Sequence, residues 1–207
     1  ATSANGSLGT RMWADIEHSH AYGMMDYYTM SGDETIRDAI VEGPKDRFLA
    51  PNGIATNGRI WNARAVGNYL MWDARLNRFL SSIGDPDAAA LLTMGQTTYN
   101  LQIKDDLCVS GYPGGCTFSQ TGADATPYGR GTSRVRGIPY QWGQGIVQGG
   151  GCSATDRAAA AFQTSILLQG LWEFRAVKGP SWADYNQSFD LAYGMAKWAL
   201  NEAYVDN

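Results

Sequence analysis

Both histidines of the chain stand in one short segment, Trp13-Ala14-Asp15-Ile16-Glu17-His18-Ser19-His20-Ala21-Tyr22-Gly23, beside two carboxylates, a tyrosine and a tryptophan. If the segment is helical, Asp15 and His18 are three apart and His18 and Tyr22 four apart, so the three share a face. His20 points elsewhere. An imidazole and a phenol on one face could act as base and acid toward a polar substrate, provided their pKa values are tuned toward the working pH. The same residues also have a structural use: Trp13 and Tyr22 as core, Asp15 as a cap, and the histidines filling polar pockets. On residue types alone the structural use is the commoner one.

Other chemistries can be weighed on the same residues. Asp15, Glu17, His18 and His20 are competent metal ligands. Their order differs from the helical His-Glu-x-x-His pattern, and His-x-His turns its rings to opposing helix faces unless the segment is extended. Neither a metal nor a cofactor is expected. Paired-carboxylate hydrolysis would need Asp15 or Glu17 with a partner from another element, such as Asp26, Asp73 or Glu173. The chain has no Gly-x-Ser-x-Gly elbow, Walker A loop or dinucleotide fingerprint, and Gly149-Gly150-Gly151 lacks the strand and helix that would make it a phosphate cradle. Arg59, Arg64, Arg75 and Arg78 recur in one stretch, and Arg130, Arg134 and Arg136 in another. A guanidinium fork could grip a substrate carboxylate, although most arginines on exposed helices are solvated.

The elements that must position these groups read as helices. Apolar residues at helical spacing, broken by glycine and restarted by Ser or Asp, predict antiparallel hairpins over about 13–42, 60–104 and 155–205. The expected turns are Ser31-Gly32-Asp33, Ile83-Gly84-Asp85-Pro86 and Lys178-Gly179-Pro180-Ser181. Asp33, Asp85 and Ser181 are the expected caps, with Pro86 at the first helical position and the last helix running from Trp182 to about Tyr204. Gly43 to Arg59 reads as a connection between hairpins, and residues 1 to about 12 as an irregular lead-in. A Gly-rich segment, about 105–155, carries Tyr112, Phe118, Tyr128, Tyr140 and Trp142, and reads as a surface platform with a short β-hairpin. Its rings could stack on sugars or bury a subunit contact. The expectation is therefore a mainly α, single domain over 1–207, built from repeated antiparallel helix hairpins of the kind that form α/α solenoids or toroids.

Composition bounds the partners. With 207 residues, 44% hydrophobic and 17% charged, the chain can bury a core and is too apolar for a disordered one. A formal charge of -4 without any Lys/Arg run excludes the basic footprint of a nucleic-acid binder. Charged and amide residues interrupt every apolar stretch, so no membrane span is expected. Cys108 and Cys116 flank a Gly/Pro loop and could close a small disulfide in an oxidising compartment, which favours a secreted or cell-surface location. Cys152 could be a buried thiol, an intermolecular bridge or the partner of either of the others. The start at Ala1 fits a mature chain after cleavage or the interior of a longer one.

The run Trp13-x-Asp15-x-Glu17-His18-x-His20-x-x-Gly23-x-x-Asp26-Tyr27-Tyr28, followed by Ser31-Gly32-Asp33-Glu34 and Arg37-Asp38-Ala39-Ile40, resembles the helical domain of exo-acting rhamnogalacturonan lyase-like proteins. The resemblance covers about Arg11 to Val41; over Trp61 to Leu80 and Phe162 to Tyr193 only the hairpin texture agrees. It implies part of an (α/α)6 toroid and a lyase cleaving an acidic pectic polysaccharide by β-elimination. In such lyases a cationic or polar group neutralises the uronate carboxylate, a base takes the neighbouring proton and an acid assists the departing sugar. Carried over, His18, His20 and Tyr22 are the catalytic positions, with Trp13, Asp15, Glu17 and Arg64 toward the substrate. Three hairpins make half a six-hairpin toroid, which leaves apolar edges for other copies or for the remainder of a larger chain to cover. A toroidal glycoside hydrolase and a non-catalytic subunit of an extracellular assembly or carbohydrate-binding scaffold are the alternatives.

Overall fold

Three glycines divide the helical sequence. Gly32, Gly84 and Gly179 have φ of 66°, 72° and 71°, the left-handed conformation that stops a helix and that side chains with a Cβ resist. In the computed structural model, which describes residues 22–49, 63–104, 127–128, 130, 135–136 and 161–201, each of the three lies between two helices. Over those residues the chain is mainly helical.

Helices α1 (Tyr22–Ser31) and α2 (Glu34–Ile40) meet at Gly32, and Asp33 caps α2 by accepting the Thr35 amide at 2.9 Å, as the sequence predicts. The chain then departs from the expected connection. A π-helical turn, Val41–Lys45, holds the buried Pro44, and α3 (Asp46–Leu49) follows without a break. Proline cannot donate the usual helical hydrogen bond, and a wider turn accommodates its ring. The ends of this run are fixed from outside. Phe48 packs 5.2 Å from Tyr69 and 5.3 Å from Trp72, and Lys45 Nζ reaches Asp85 at 2.7 Å and Asp87 at 2.8 Å.

Helix α4 (Ala63–Ser82) is buried around most of its circumference. Leu70, Trp72, Leu76 and Leu80 are fully buried, each contributing about 1.5–3 kcal/mol. Helix α5 (Ala88–Tyr99), continued by a π-helical turn over Asn100–Lys104, folds back along α4, and the Asn77 amide donates to the Ala88 carbonyl at 2.7 Å. Its start differs from the predicted one. Asp85 accepts the Asp87 amide at 2.9 Å in a turn that precedes the helix, because the Asp85 carboxylate also answers Lys45. Helix α6 (Ala161–Lys178) makes the closest packing with α4. A Cβ on Gly67 would strike the Ile166 carbonyl, and one on Gly170 would strike the backbone of Gly67, so glycine at both positions lets the two backbones touch.

Helix α7 (Tyr185–Asn201) begins three residues after Trp182, the start expected from a Ser181 cap. Trp182 explains the delay: it is buried against Tyr99 at 4.9 Å and Phe174 at 5.6 Å, and the chain must turn around it before the helix can start. Within the Gly-rich segment, Pro127 pairs with Arg136 and Tyr128 with Val135 in a two-residue antiparallel ladder that contacts α7. The core joins the described elements through Ile40, Phe48, Tyr69, Trp72, Leu91, Phe174 and Leu191.

Candidate functional site

Two helices turn the same spacing toward one another. Tyr22, Met25, Asp26 and Thr29 on α1, and Arg75, Arg78, Phe79 and Ser82 on α4, each follow i, i+3, i+4, i+7, the single face of a helix. With Glu173 of α6 they line a cleft of about 580 Å³. Small-molecule sites run from about 300 to 1,000 Å³. Met25 and Phe79 supply the buried apolar part of the lining, while Asp26 and Arg78 are exposed.

A fork joins the two sides of the polar lining. Arg75 donates from Nε to Glu173 Oε2 at 2.8 Å and from Nη2 to Oε1 at 2.6 Å. This side-on grip occupies Nε and one Nη and leaves Nη1 able to donate elsewhere. The guanidinium carbon lies 4.3 Å from the centroid of the Tyr22 ring, and the Tyr22 ring lies 4.8 Å from that of Trp72. Burial works to raise the Glu173 pKa, but the hydrogen bonds and charge of Arg75, with help from Gln169, bring it below the ordinary carboxylate value. Glu173 is therefore a fixed anion.

Tyr22 is the opposite case. Burial pushes its phenol well above the ordinary tyrosine value, against the pull of Arg75 and with added push from Glu173. The hydroxyl stays protonated at neutral pH. It is also shielded from solvent and finds no hydrogen-bond partner among the described residues. Because the hydroxyl is covered, it reaches a bound molecule only if the side chain swings toward the cleft, a movement that would break no internal hydrogen bond. Across the same cleft, Arg78 forms no ion pair among the described residues. The cleft thus offers a cation without an ion pair among the described residues, one open edge of a second guanidinium and two carboxylates, with a neutral phenol whose hydroxyl is covered.

Of the residues singled out in the sequence, Tyr22 lines this cleft. Trp13, Asp15, Glu17, His18 and His20 lie outside the described residues, as do Cys108, Cys116 and Cys152. Arg64 does not line the cleft: it is half-buried in the first turn of α4, eleven residues before Arg75. Eleven residues are three turns, so the two arginines share a stripe about 16 Å apart along the helix. Arg75 and Arg78, two other arginines of the same stretch, do line the cleft. Asp26 and Glu173, two of the three considered carboxylate partners, line the cleft, whereas the third, Asp73, does not. It is wholly buried in α4, neither of its carboxylate oxygens has a hydrogen-bond partner, and burial raises its pKa well above the ordinary value.

The paired i, i+3, i+4, i+7 spacing was available in the sequence and would have nominated Asp26, Arg75 and Arg78 together. The Arg75–Glu173 fork joins residues 98 apart and has no local signature. Among the described residues, no three His, Cys, Asp or Glu side chains are grouped to hold a metal ion. None of the described helices is long and apolar enough to cross a membrane. No family model, curated protein or solved structure matches this chain.

Proposed function

We propose that the protein is a polysaccharide lyase that cleaves an acidic pectic chain by β-elimination in the cleft between α1, α4 and α6, and that its helix pairs belong to an α/α toroid. The observation that carries this reading is Arg78, a cation without an ion pair among the described residues, in the same cleft lining as Tyr22, whose protonated hydroxyl is covered and would swing out to meet substrate. In β-elimination a base removes the proton on the carbon bearing the uronate carboxylate. The electrons of that C–H bond form a carbon–carbon double bond, and the adjacent C–O bond breaks with its pair going to the departing oxygen. The carbanion-like transition state spreads charge onto the carboxylate, where a guanidinium is worth most. Arg78, with the open edge of Arg75, suits that task. Tyr22 is assigned the role of acid: its phenol is held protonated, and because burial moves its pKa away from the working pH rather than toward it, it is a weak donor that matches only a strongly basic departing alkoxide. The base falls to His18 or His20 through the family resemblance, with Trp13, Asp15 and Glu17 toward the sugars. A secreted or cell-surface location goes with such a substrate.

A glycoside hydrolase is the second reading, favoured by the presence of both Asp26 and Glu173 in the cleft lining. Glu173 would then be confined to the role of anion, because Arg75 keeps it ionised, and Asp26 would have to be the acid.

Tyr22→Phe tests the first reading. It removes only the hydroxyl, so the ring remains against Trp72 and Arg75. The rate at which de-esterified pectic substrate gains the ultraviolet absorbance of an unsaturated uronate should fall by about 100-fold or more, with the melting temperature unchanged or raised. An unaltered rate removes Tyr22 from the mechanism.

A further inference from the structure

Rings and cations alternate along the outer edge of α6 and α7. Trp172 is 57% exposed, although an indole is a side chain that folding normally covers. The Arg175 guanidinium carbon lies 5.5 Å from the Trp172 ring centroid, 3.4 Å from that of Tyr185 and 5.6 Å from that of Phe189. A second guanidinium, Arg130, reaches the same Phe189 ring at 4.4 Å, coming from the Gly-rich segment. The two cations are not equivalent. Arg130 spends its charge on Asp190 at 2.7 Å, whereas Arg175 gives only its Nε, to the Tyr185 carbonyl at 3.0 Å, and meets no carboxylate among the described residues. Its two Nη groups remain available beside an open indole face.

A basic residue in the last turn of a helix complements the helix dipole, which accounts for a cation at this position. It does not account for an exposed tryptophan next to that cation, or for a second arginine brought from a distant segment to the same ring stack. We infer that this edge binds an acidic oligosaccharide: Trp172 stacks on the apolar face of a sugar, and the free Nη groups of Arg175 take that sugar chain's carboxylate. One ring with one uncommitted cation suits a chain in which sugar faces and carboxylates alternate. A nucleic acid needs a longer run of cations than Arg130, Arg175 and the nearby Lys178 provide, and this edge also carries Asp190 in a chain of formal charge -4.

The edge is separate from the cleft. Glu173 and Arg175 are two residues apart on α6, about 200° around the helix axis, and Glu173 is the one that faces the cleft. The surface therefore retains a polymer rather than cleaving it, and the inference stands whether or not the cleft is a lyase site.

Calorimetric titration of the full chain with a soluble hexuronate oligomer tests it, using Arg78→Gln as the parent so that the cleft is weakened. Trp172→Ala should lower affinity about tenfold or more, and Arg175→Gln should do likewise. Trp172 is exposed, so its replacement leaves the core in place. The methyl-esterified oligomer of equal length should bind more weakly, and an oligodeoxynucleotide should not compete. Absence of binding to the parent, equal affinity in Trp172→Ala, or equal binding of the oligodeoxynucleotide overturns the inference. If Arg78→Gln binds as the unaltered protein does while Trp172→Ala does not, the edge is established and the cleft reading fails.

Discussion

Asp73→Asn should change stability by an amount that depends on pH, increasingly in favour of the variant as pH rises. The carboxyl group lies wholly inside α4, finds no hydrogen-bond partner, and owes its raised pKa to burial alone. In the unfolded chain the same group titrates near its ordinary value of 3.8. Between that value and the higher folded-state pKa, the unfolded chain releases a proton that the folded chain retains. Stability contributed by this site therefore falls as pH rises, by at most about 1.4 kcal/mol per pH unit, and levels off once the folded-state pKa is passed. Asparagine has nearly the same shape and no such titration. Its buried amide still lacks partners, which costs about 1–3 kcal/mol at every pH, so the slope rather than the offset carries the test. Urea unfolding of both proteins at intervals from pH 3 to pH 8 should give a difference that is flat below about pH 3.8 and rises in favour of the variant above it. A difference independent of pH would mean that Asp73 ionises normally in the fold and that burial does not govern it.

Arg78→Gln should lower kcat/KM for a de-esterified substrate by about 10- to 100-fold, the worth of a hydrogen bond to a charged group, and should have a smaller effect on the esterified one. Lys45→Met should destabilise by about 1 kcal/mol at neutral pH through loss of the contacts to Asp85 and Asp87. The Asp85 pKa is lowered, by its hydrogen bond from Lys45 before other causes, so this stability is present above pH 3.8 and is lost as pH falls through the folded-state value. The two proteins should therefore converge in acid, read by urea midpoints. Gly67→Ala should cost about 1–3 kcal/mol or more, because the added methyl meets backbone rather than a side chain that can swing away. Thermal melting checks it, with Gly23→Ala, where a Cβ meets nothing, as the tolerated control.

Where a local rule governed, the sequence was readable. Gly32, Gly84 and Gly179 stop their helices because left-handed backbone has a clear residue preference, and Asp33 caps because the Thr35 amide it serves is two residues away. Where tertiary contacts won, it was not. Asp85 looks like the first residue of a helix, yet its carboxylate is drawn to Lys45, forty residues earlier. Ser181 looks like a cap, yet the burial of Trp182 moves the start of α7 to Tyr185. Gly67, Gly95 and Gly170 read as weak points in helices, whereas each sits where a Cβ would collide with a neighbouring helix. The site divides the same way. The helical spacing that brings Tyr22 and Arg75 into the cleft lining is local and visible in the sequence, but nothing near Arg75 in sequence announces Glu173. Asp73 could not be told from Asp26 by type, since only packing decides which of two helical aspartates meets solvent.

The most direct test of the proposed chemistry is to digest de-esterified pectic polysaccharide with the full chain and follow ultraviolet absorbance and new reducing ends in the same reaction. β-Elimination predicts that both rise together, one unsaturated uronate for each new reducing end. Reducing ends without absorbance would contradict the lyase reading and favour the hydrolase, and the absence of both would contradict catalysis on this substrate altogether.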